Sequence, residues 1–199
     1  MTQRQRRVRD RTERGRRIVT AARELAEEEG WEAVTTRRLA ALIEYSQPVL
    51  YSHFPGGKDA IMAAAALEGF AELVEALSGA RGGGLAGVAR AYVEFAEEKP
   101  ALYDAMFTLA SELRFAEEDT PEVMKAGFAE LLAVIEPVAG EQDAGVLTEV
   151  FWSTLHGLVT LDRGGRLSQG NRDERLALVV ARFGAPEAQT KELGGHPVA

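Results

Sequence analysis

Residues 35–54 read TTRRLAALIEYSQPVLYSHF. Thr35 is placed to cap a helix whose Leu39, Ala40 and Ile43 recur on one side. A break falls at Glu44-Tyr45. Ser46 is then placed to cap a second short helix, whose first turn tolerates Pro48. Two short helices joined by a tight turn, the second polar on its outer side, make a helix-turn-helix, a unit that lays its second helix in the DNA major groove. Ala40 and Leu50 are the small and apolar residues such a crossing requires. Gln47, Pro48, Tyr51 and Ser52 are expected to face outward, with Ser46 at the helix start. A glutamine can bond two edge atoms of adenine, which is worth about 1–3 kcal/mol of discrimination. Pro48 and Val49 suit a thymine methyl. Tyr51 and His53, with Thr36, Arg37 and Lys58, are candidates for phosphates, which position rather than specify.

The charge distribution supports this reading. The chain of 199 residues has a net charge of -8, but the sign changes along it. Residues 1–60 hold eleven Arg and one Lys against nine acidic residues, a balance of +3. Residues 61–199 hold eleven basic and 22 acidic residues, a balance of -11. Residues 1–23 alone carry nine Arg against Asp10 and Glu13, a balance of +7. Such asymmetry suits one end that meets nucleic acid and another that avoids it. The competing reading is a solvated basic tail.

Residues 1–10 have few apolar groups and are expected to be mobile. A helical pattern starts near Arg11, with Ile18, Ala22, Leu25 and Ala26 on one face, and Gly30 stops it. Pro55-Gly56-Gly57 ends the second helix of the motif. A further helix from about Lys58 carries Ile61, Ala65, Leu73 and Leu77 and breaks at Ser78–Gly84. Leu85 to Lys99 places Val88, Tyr92 and Phe95 on one face. Pro100 opens a helix expected to end near Arg114. Thr120-Pro121 reads as a cap with proline at the first helical position. Residues 143–162 form an unusually apolar helix. Asn171 with Glu174 resembles a capping box before a helix to Phe183. The tail from Gly184 is rich in Gly and Pro. No strand alternation or internal repeat stands out. The fold class is all-α, with about nine helices: a helix-turn-helix domain with a basic arm over residues 1–57, and a helical effector-binding and dimerisation domain over 58–199.

The chain has no cysteine, which excludes disulfides and thiolate chemistry. No apolar run approaches the roughly 18 residues of a membrane span. The polar, arginine-rich N-terminus is not a secretory signal. A cytoplasmic location is expected.

The segment from about Ile18 to Ile61 resembles the DNA-binding domain of the TetR family of bacterial regulators. The resemblance rests on Ala21-Ala22 with Leu25, Thr35-Thr36, Leu39-Ala40, and Leu50-Tyr51-Ser52-His53-Phe54-Pro55 followed by Lys58. It implies an all-helical homodimer on a near-palindromic double-stranded operator, released by a small molecule. It also implies DNA contacts at Thr36, Arg37, Gln47, Pro48, Val49, Tyr51, His53 and Lys58. The sequence departs from the family twice. Glu44 stands where the turn usually has glycine. One extra residue precedes Lys58, which weakens the case for its phosphate contact. Further on, Tyr92, Phe95, Pro100, Tyr103, Met106 and Phe107, with Trp152-x-x-x-His156-Gly157, resemble the subgroup named for a Trp-His-Gly signature.

Phe70, Tyr92, Phe95, Met106, Phe107, Phe128, Phe151, Trp152 and His156 are candidates to line an effector pocket, because such pockets are mostly apolar with a few orienting polar groups. Ordinary core packing is the alternative for each. Val150, Leu158, Leu161, Leu176, Val179, Val180 and Phe183 are candidates for a dimer interface. No cofactor, metal site or catalytic residue is expected, since His53, His156 and His196 fall in separate parts of the chain. The reading is a ligand-responsive transcriptional repressor. A sequence-indifferent DNA-binding protein and a small helical enzyme are the alternatives.

Overall fold

The computed structural model describes residues 2–109, 113 and 117–184. The described residues form nine α-helices and no strand. These are α1 (Gln3–Glu29), α2 (Thr36–Leu42), α3 (Gln47–His53), α4 (Gly57–Ala80), α5 (Gly84–Glu98), α6 (Pro100–Asp104), α7 (Glu122–Ile135), α8 (Ala144–Arg163) and α9 (Arg172–Phe183).

The N-terminus corrects the expectation of a mobile segment before Arg11. The helix begins at Gln3, closed by a capping box in which Gln5 N–H donates to the Thr2 hydroxyl and the Gln5 side chain accepts the Thr2 N–H at 2.8 Å. Apolar content is a poor guide here. A helix already nucleated further on extends cheaply through Arg and Gln, which are good helix formers.

Three other helix ends differ from expectation. Ser46 occupies the cap position of α3, but its side chain makes no capping bond. Pro121 is itself the cap of α7, and the Thr120 hydroxyl instead accepts from Glu117 N–H at 3.0 Å. Asn171 caps α9 without a side-chain bond, because its backbone (φ -102, ψ 20) is not in the extended form that aims a cap at the first turn. The helix from Pro100 leaves α geometry early: Ala105–Leu109 is a π-helical turn. The expected end near Arg114 lies outside the described residues.

The central element is α4. It packs on α1 in the head and on α5 and α7 in the body, and α8 and α9 pack on α5. Gly69 lets α4 approach α6 closely. A Cβ there would lie 2.7 Å from Met106 Sδ and 3.0 Å from Leu102. Polar links tie the C-terminal part of α1 to the body. Arg23 bridges Glu68 (3.1 Å) and Glu72 (2.6 Å), and Lys99 also reaches Glu72 (2.6 Å). Burial pushes the Glu72 carboxyl up, but hydrogen bonds from Lys99 and Arg23 outweigh it and leave the group below its usual range. The Glu27 carboxylate accepts from Ala101 N–H (3.0 Å) and Leu102 N–H (2.9 Å), two free amides at the start of α6. Trp31 Nε1–H donates to the Ala101 carbonyl at 2.7 Å. No helix of the described residues is long and apolar enough to cross a membrane.

Candidate functional site

The head is built around Leu50, the one fully buried side chain of α3. Burying Leu50 against Leu39 and Ala40 of α2 turns the rest of α3 outward. Ser46, Gln47, Pro48, Tyr51 and Ser52 are exposed, and Val49 and His53 are half-buried. On α2 Arg37 is exposed and Thr36 half-buried. The Thr36 and Tyr51 hydroxyls lie 3.5 Å apart, so the start of α2 steadies the ring of Tyr51. Thr35 caps α2 through Arg38 N–H at 3.1 Å. Arg38 forks onto the Glu29 carboxylate, whereas Arg37 has no ion-pair partner among the described residues. Ser52 differs from the other outward groups, since its hydroxyl proton is held by the Val49 carbonyl at 2.7 Å.

Left-handed backbone occurs at both places where the sequence departs from the family. Glu44 has φ 57, and Tyr45 N–H closes on the Ala40 carbonyl at 2.9 Å. The turn therefore keeps the glycine-type form, at roughly 1–2 kcal/mol for the non-glycine residue. Gly57, just before Lys58, is also left-handed, with φ 63, and an added Cβ there would lie 3.4 Å from the Tyr51 ring. Lys58 is left half-buried in the first turn of α4.

Arginines of α1 close over the head. Arg11 Nη2 donates to the Ser52 carbonyl at 2.7 Å, at the C-terminal end of α3. Arg17 lies 5.3 Å from the Tyr45 ring centroid and donates to its hydroxyl at 3.2 Å. Sequence reasoning placed neither contact, because neither i, i+3 nor i, i+4 spacing links these residues. Burial, followed by the charges of Arg11 and Arg14, lowers the His53 pKa below its usual value, so the ring is neutral at neutral pH.

In the body a small apolar cavity of about 30 Å³ lies between α4, α5, α7 and α8. Of the pocket candidates, Phe70, Tyr92, Phe107, Phe128 and Trp152 line it. Phe95, Met106 and Phe151 are buried in the core and His156 is half-buried; none of the four lines the cavity. Leu73, Leu77, Met124, Gly127 and Leu131 complete the wall. Their i, i+4 spacing marked Leu73 and Leu77 as inward-facing but not as cavity-lining. Phe107 belongs to the π-helical turn and meets Phe70 edge-on at 5.3 Å.

Behind this wall runs a hydrogen-bonded chain. Trp152 Nε1–H donates to the Tyr92 hydroxyl at 3.0 Å. The Tyr92 and Tyr103 hydroxyls are 2.8 Å apart, and Tyr103 lies 2.7 Å from His156 Nδ1. Indole can only donate. The order that satisfies every member therefore runs Trp152 to Tyr92 to Tyr103 to His156, with the His156 proton on Nε2. Burial lowers the His156 pKa and raises that of both tyrosines. Trp152 and His156 thus share a face, as their spacing implies, but are joined through two tyrosines rather than to each other. Among the described residues no group of three or more His, Asp or Glu side chains gathers as a metal site.

On the outer side of α8, Val146 (59% exposed), Val150 (51%) and Leu161 (39%) fall on one face, and Leu178 of α9 is 57% exposed. Val150 and Leu161 were interface candidates; Val146 and Leu178 are additions. Leu158, Leu176, Val179, Val180 and Phe183 are half-buried. The last four pack on the core of their own chain, with Phe183 5.1 Å from Phe151.

Comparison with known proteins matches residues 18–65 to the family described as bacterial regulatory proteins, tetR family, and residues 85–183 to the tetracyclin repressor-like C-terminal domain. An uncharacterized HTH-type transcriptional regulator of Bacillus subtilis, YobS, is 30% identical over 149 residues, covering 72% of this chain and 76% of that one. An uncharacterized HTH-type transcriptional regulator of Mycobacterium tuberculosis is 26% identical over 185 residues, covering 89% and 83%. A solved structure of a protein with unknown function from Rhodococcus sp. RHA1 superposes with a TM-score of 0.69 at 26% identity, covering 85% and 92%.

Proposed function

The chain belongs to the tetR family of bacterial regulatory proteins and is a DNA-binding transcriptional regulator; from that premise we propose that it works as a ligand-responsive repressor, a homodimer on a near-palindromic operator. The observation that carries the reading is α3 itself. Its single apolar anchor, Leu50, is buried, while Gln47, Pro48, Tyr51 and Ser52 stand exposed. In this reading Gln47 bonds a base edge and Pro48 and Val49 touch methyl groups. Thr36, Arg37, Tyr51, His53 and Lys58 hold phosphates, with Ser46 and Ser52 beside them.

The exposed apolar face of α8 with Leu178 of α9 supports a homodimer, because a monomer gains nothing by leaving these side chains in water. Two heads then meet half-sites about one helical turn apart. We place the boundary between the reading and effector domains at residues 57 and 58, in the first turn of α4. A cytoplasmic location belongs to the same reading.

The effector enters the aromatic cavity and must widen it, since about 30 Å³ holds no more than a water-sized group. Phe107 lies on a π-helical turn, a feature frequent at functional sites. This turn continues α6, whose first amides are held by Glu27 and whose Ala101 carbonyl takes Trp31. Displacing Phe107 would thus move α6 against α1, and α4 with them, changing the spacing of the heads. Release follows only if the effector binds the non-binding spacing more tightly.

The test is selection of random duplexes by the purified protein, followed by sequencing. The expected result is a palindromic motif with half-sites about one turn apart. Salt-sensitive binding to every sequence without enrichment would leave a non-specific DNA-binding protein.

A further inference from the structure

The helical extension of α1 ahead of the head has two unlike faces. At about 100° per residue, Arg4, Arg7, Arg11 and Arg14 fall within roughly 80° of one another. Arg6, Arg9, Arg16 and Arg17 fall on the opposite side with Glu13, while Asp10 lies at the border, about 40° from Arg14. One face therefore carries four arginines with a single acid, Asp10, at its edge, while the other carries four arginines around Glu13.

The first face has a defined direction. It continues the stripe of Ile18, Ala22 and Leu25, which are buried against the head. At Gly15 it passes His53, whose Nδ1 would lie 3.8 Å from an added Cβ, and at Arg11 it is fastened to the Ser52 carbonyl. Beyond that point residues 3–10 extend about 12 Å past the head, with every side chain exposed. Arg4, Arg7 and Arg14 have no ion-pair partner among the described residues. The buried side of α1 thus turns into an arginine stripe that overhangs the C-terminal end of α3.

We infer that this stripe is a second DNA-binding surface, a rigid helical prong that lies on the phosphates of double-stranded DNA next to the groove occupied by α3. The inference rests on the reading of α3 as the groove helix and adds an oriented contact to it. Charge complementarity argues for DNA as the occupant, since a duplex presents one negative charge per about 1.7 Å of its axis. So does continuity, because Arg11 joins the stripe to the reading helix itself. A flexible basic arm would use its arginines without regard to face; a helix fixed at Arg11 presents one face only.

The experiment compares two variants of the full chain with equal charge loss, Arg4→Ala with Arg7→Ala, and Arg6→Ala with Arg9→Ala. All four positions are exposed, so the fold is not at stake, and circular dichroism checks that the helix persists. Affinity for the selected operator and for a scrambled duplex is measured across salt concentrations. Each phosphate that is no longer neutralised flattens the logarithmic salt slope by about 0.9. A homodimer loses four arginines with each variant, so the first is expected to flatten it by about 3.6 on both duplexes, and the second by less than half as much. Equal flattening by both variants would overturn the oriented stripe in favour of a charge cloud. No flattening by either would take the extension off the DNA, and altered assembly without altered DNA binding would assign the stripe to protein. If the wild-type chain fails to separate operator from scrambled duplex, the groove reading falls on its own, and the scrambled duplex still tests the stripe.

Discussion

On α3 the polar groups Gln47, Tyr51 and Ser52 stand at the surface, most of their hydrogen-bonding capacity unused by the chain itself. In the body Trp152, Tyr92, Tyr103 and His156 are turned inward and use one another up, each donor aimed at the next acceptor. The difference follows from what each region gives up to water. An exposed amide keeps its water until DNA replaces it, so leaving it unpaired costs nothing. A buried hydroxyl left unpaired costs about 1–3 kcal/mol, so the interior closes its own chain. A surface that reads is made of unsatisfied groups, and a pocket wall is made of satisfied ones. Truncating one group in each region should therefore damage different properties.

The larger effect belongs to the body. Tyr103→Phe removes the middle link. The Tyr92 hydroxyl then has no acceptor for its proton, and His156 Nδ1 has no donor. Each orphaned group costs about 1–3 kcal/mol, so denaturant unfolding should show a clear loss of stability. Operator affinity of the folded protein, without effector, should be unchanged. A stable Tyr103→Phe protein would mean that water or a moved side chain completes the chain. Gln47→Ala is the counterpart in the head. Stability should hold, while affinity for the selected operator falls by about 1–3 kcal/mol and affinity for scrambled duplex does not. Equal losses on both duplexes would remove the base-reading role and leave Gln47 a general contact.

The same contrast explains what the sequence made legible. The head could be read because its signals are local: Thr35, Leu39, Ala40 and Leu50 lie within 16 residues, and spacing alone decides which side they take. Glu44 stands where the family's turn usually has glycine, and its φ of 57 shows that the bond from Tyr45 to Ala40 holds the left-handed form without glycine. The start of α1 escapes a reading of apolar content, because the capping box at Thr2 and the propensity of Arg and Gln decide it. In the body, composition identified the aromatic residues but not their partition into cavity wall and core. Phe107 and Met106 are neighbours in sequence, yet Phe107 faces the cavity and Met106 packs on Gly69, because consecutive residues of a helix point about 100° apart. The joins between head and body, Glu27 and Trp31 on α6, span 70 residues or more, and no periodicity reports them.

The smallest predicted effect separates the two regions by their histidines. Both His53 and His156 have pKa values below the usual 6.5, but the causes differ: burial alone at His156, and burial with the charges of Arg11 and Arg14 at His53. A folded value below the unfolded one means that the unfolded chain binds more protons once the pH drops below about 6.5. Stability is therefore unaffected above that pH, falls as the pH falls through it, and levels off below the folded value. His156→Gln, uncharged at every pH, should remove part of this decline. The result should be the same with and without operator, since DNA does not alter burial in the body. For His53 the operator matters. Phosphates beside Arg11 and Arg14 offset their charge and favour the imidazolium, so complex formation should take up a proton and tighten as the pH falls from 7 towards 6. His53→Gln should abolish that tightening, and His156→Gln should leave it intact. Tightening that survives His53→Gln would place the proton on another group and remove His53 from the phosphate contacts.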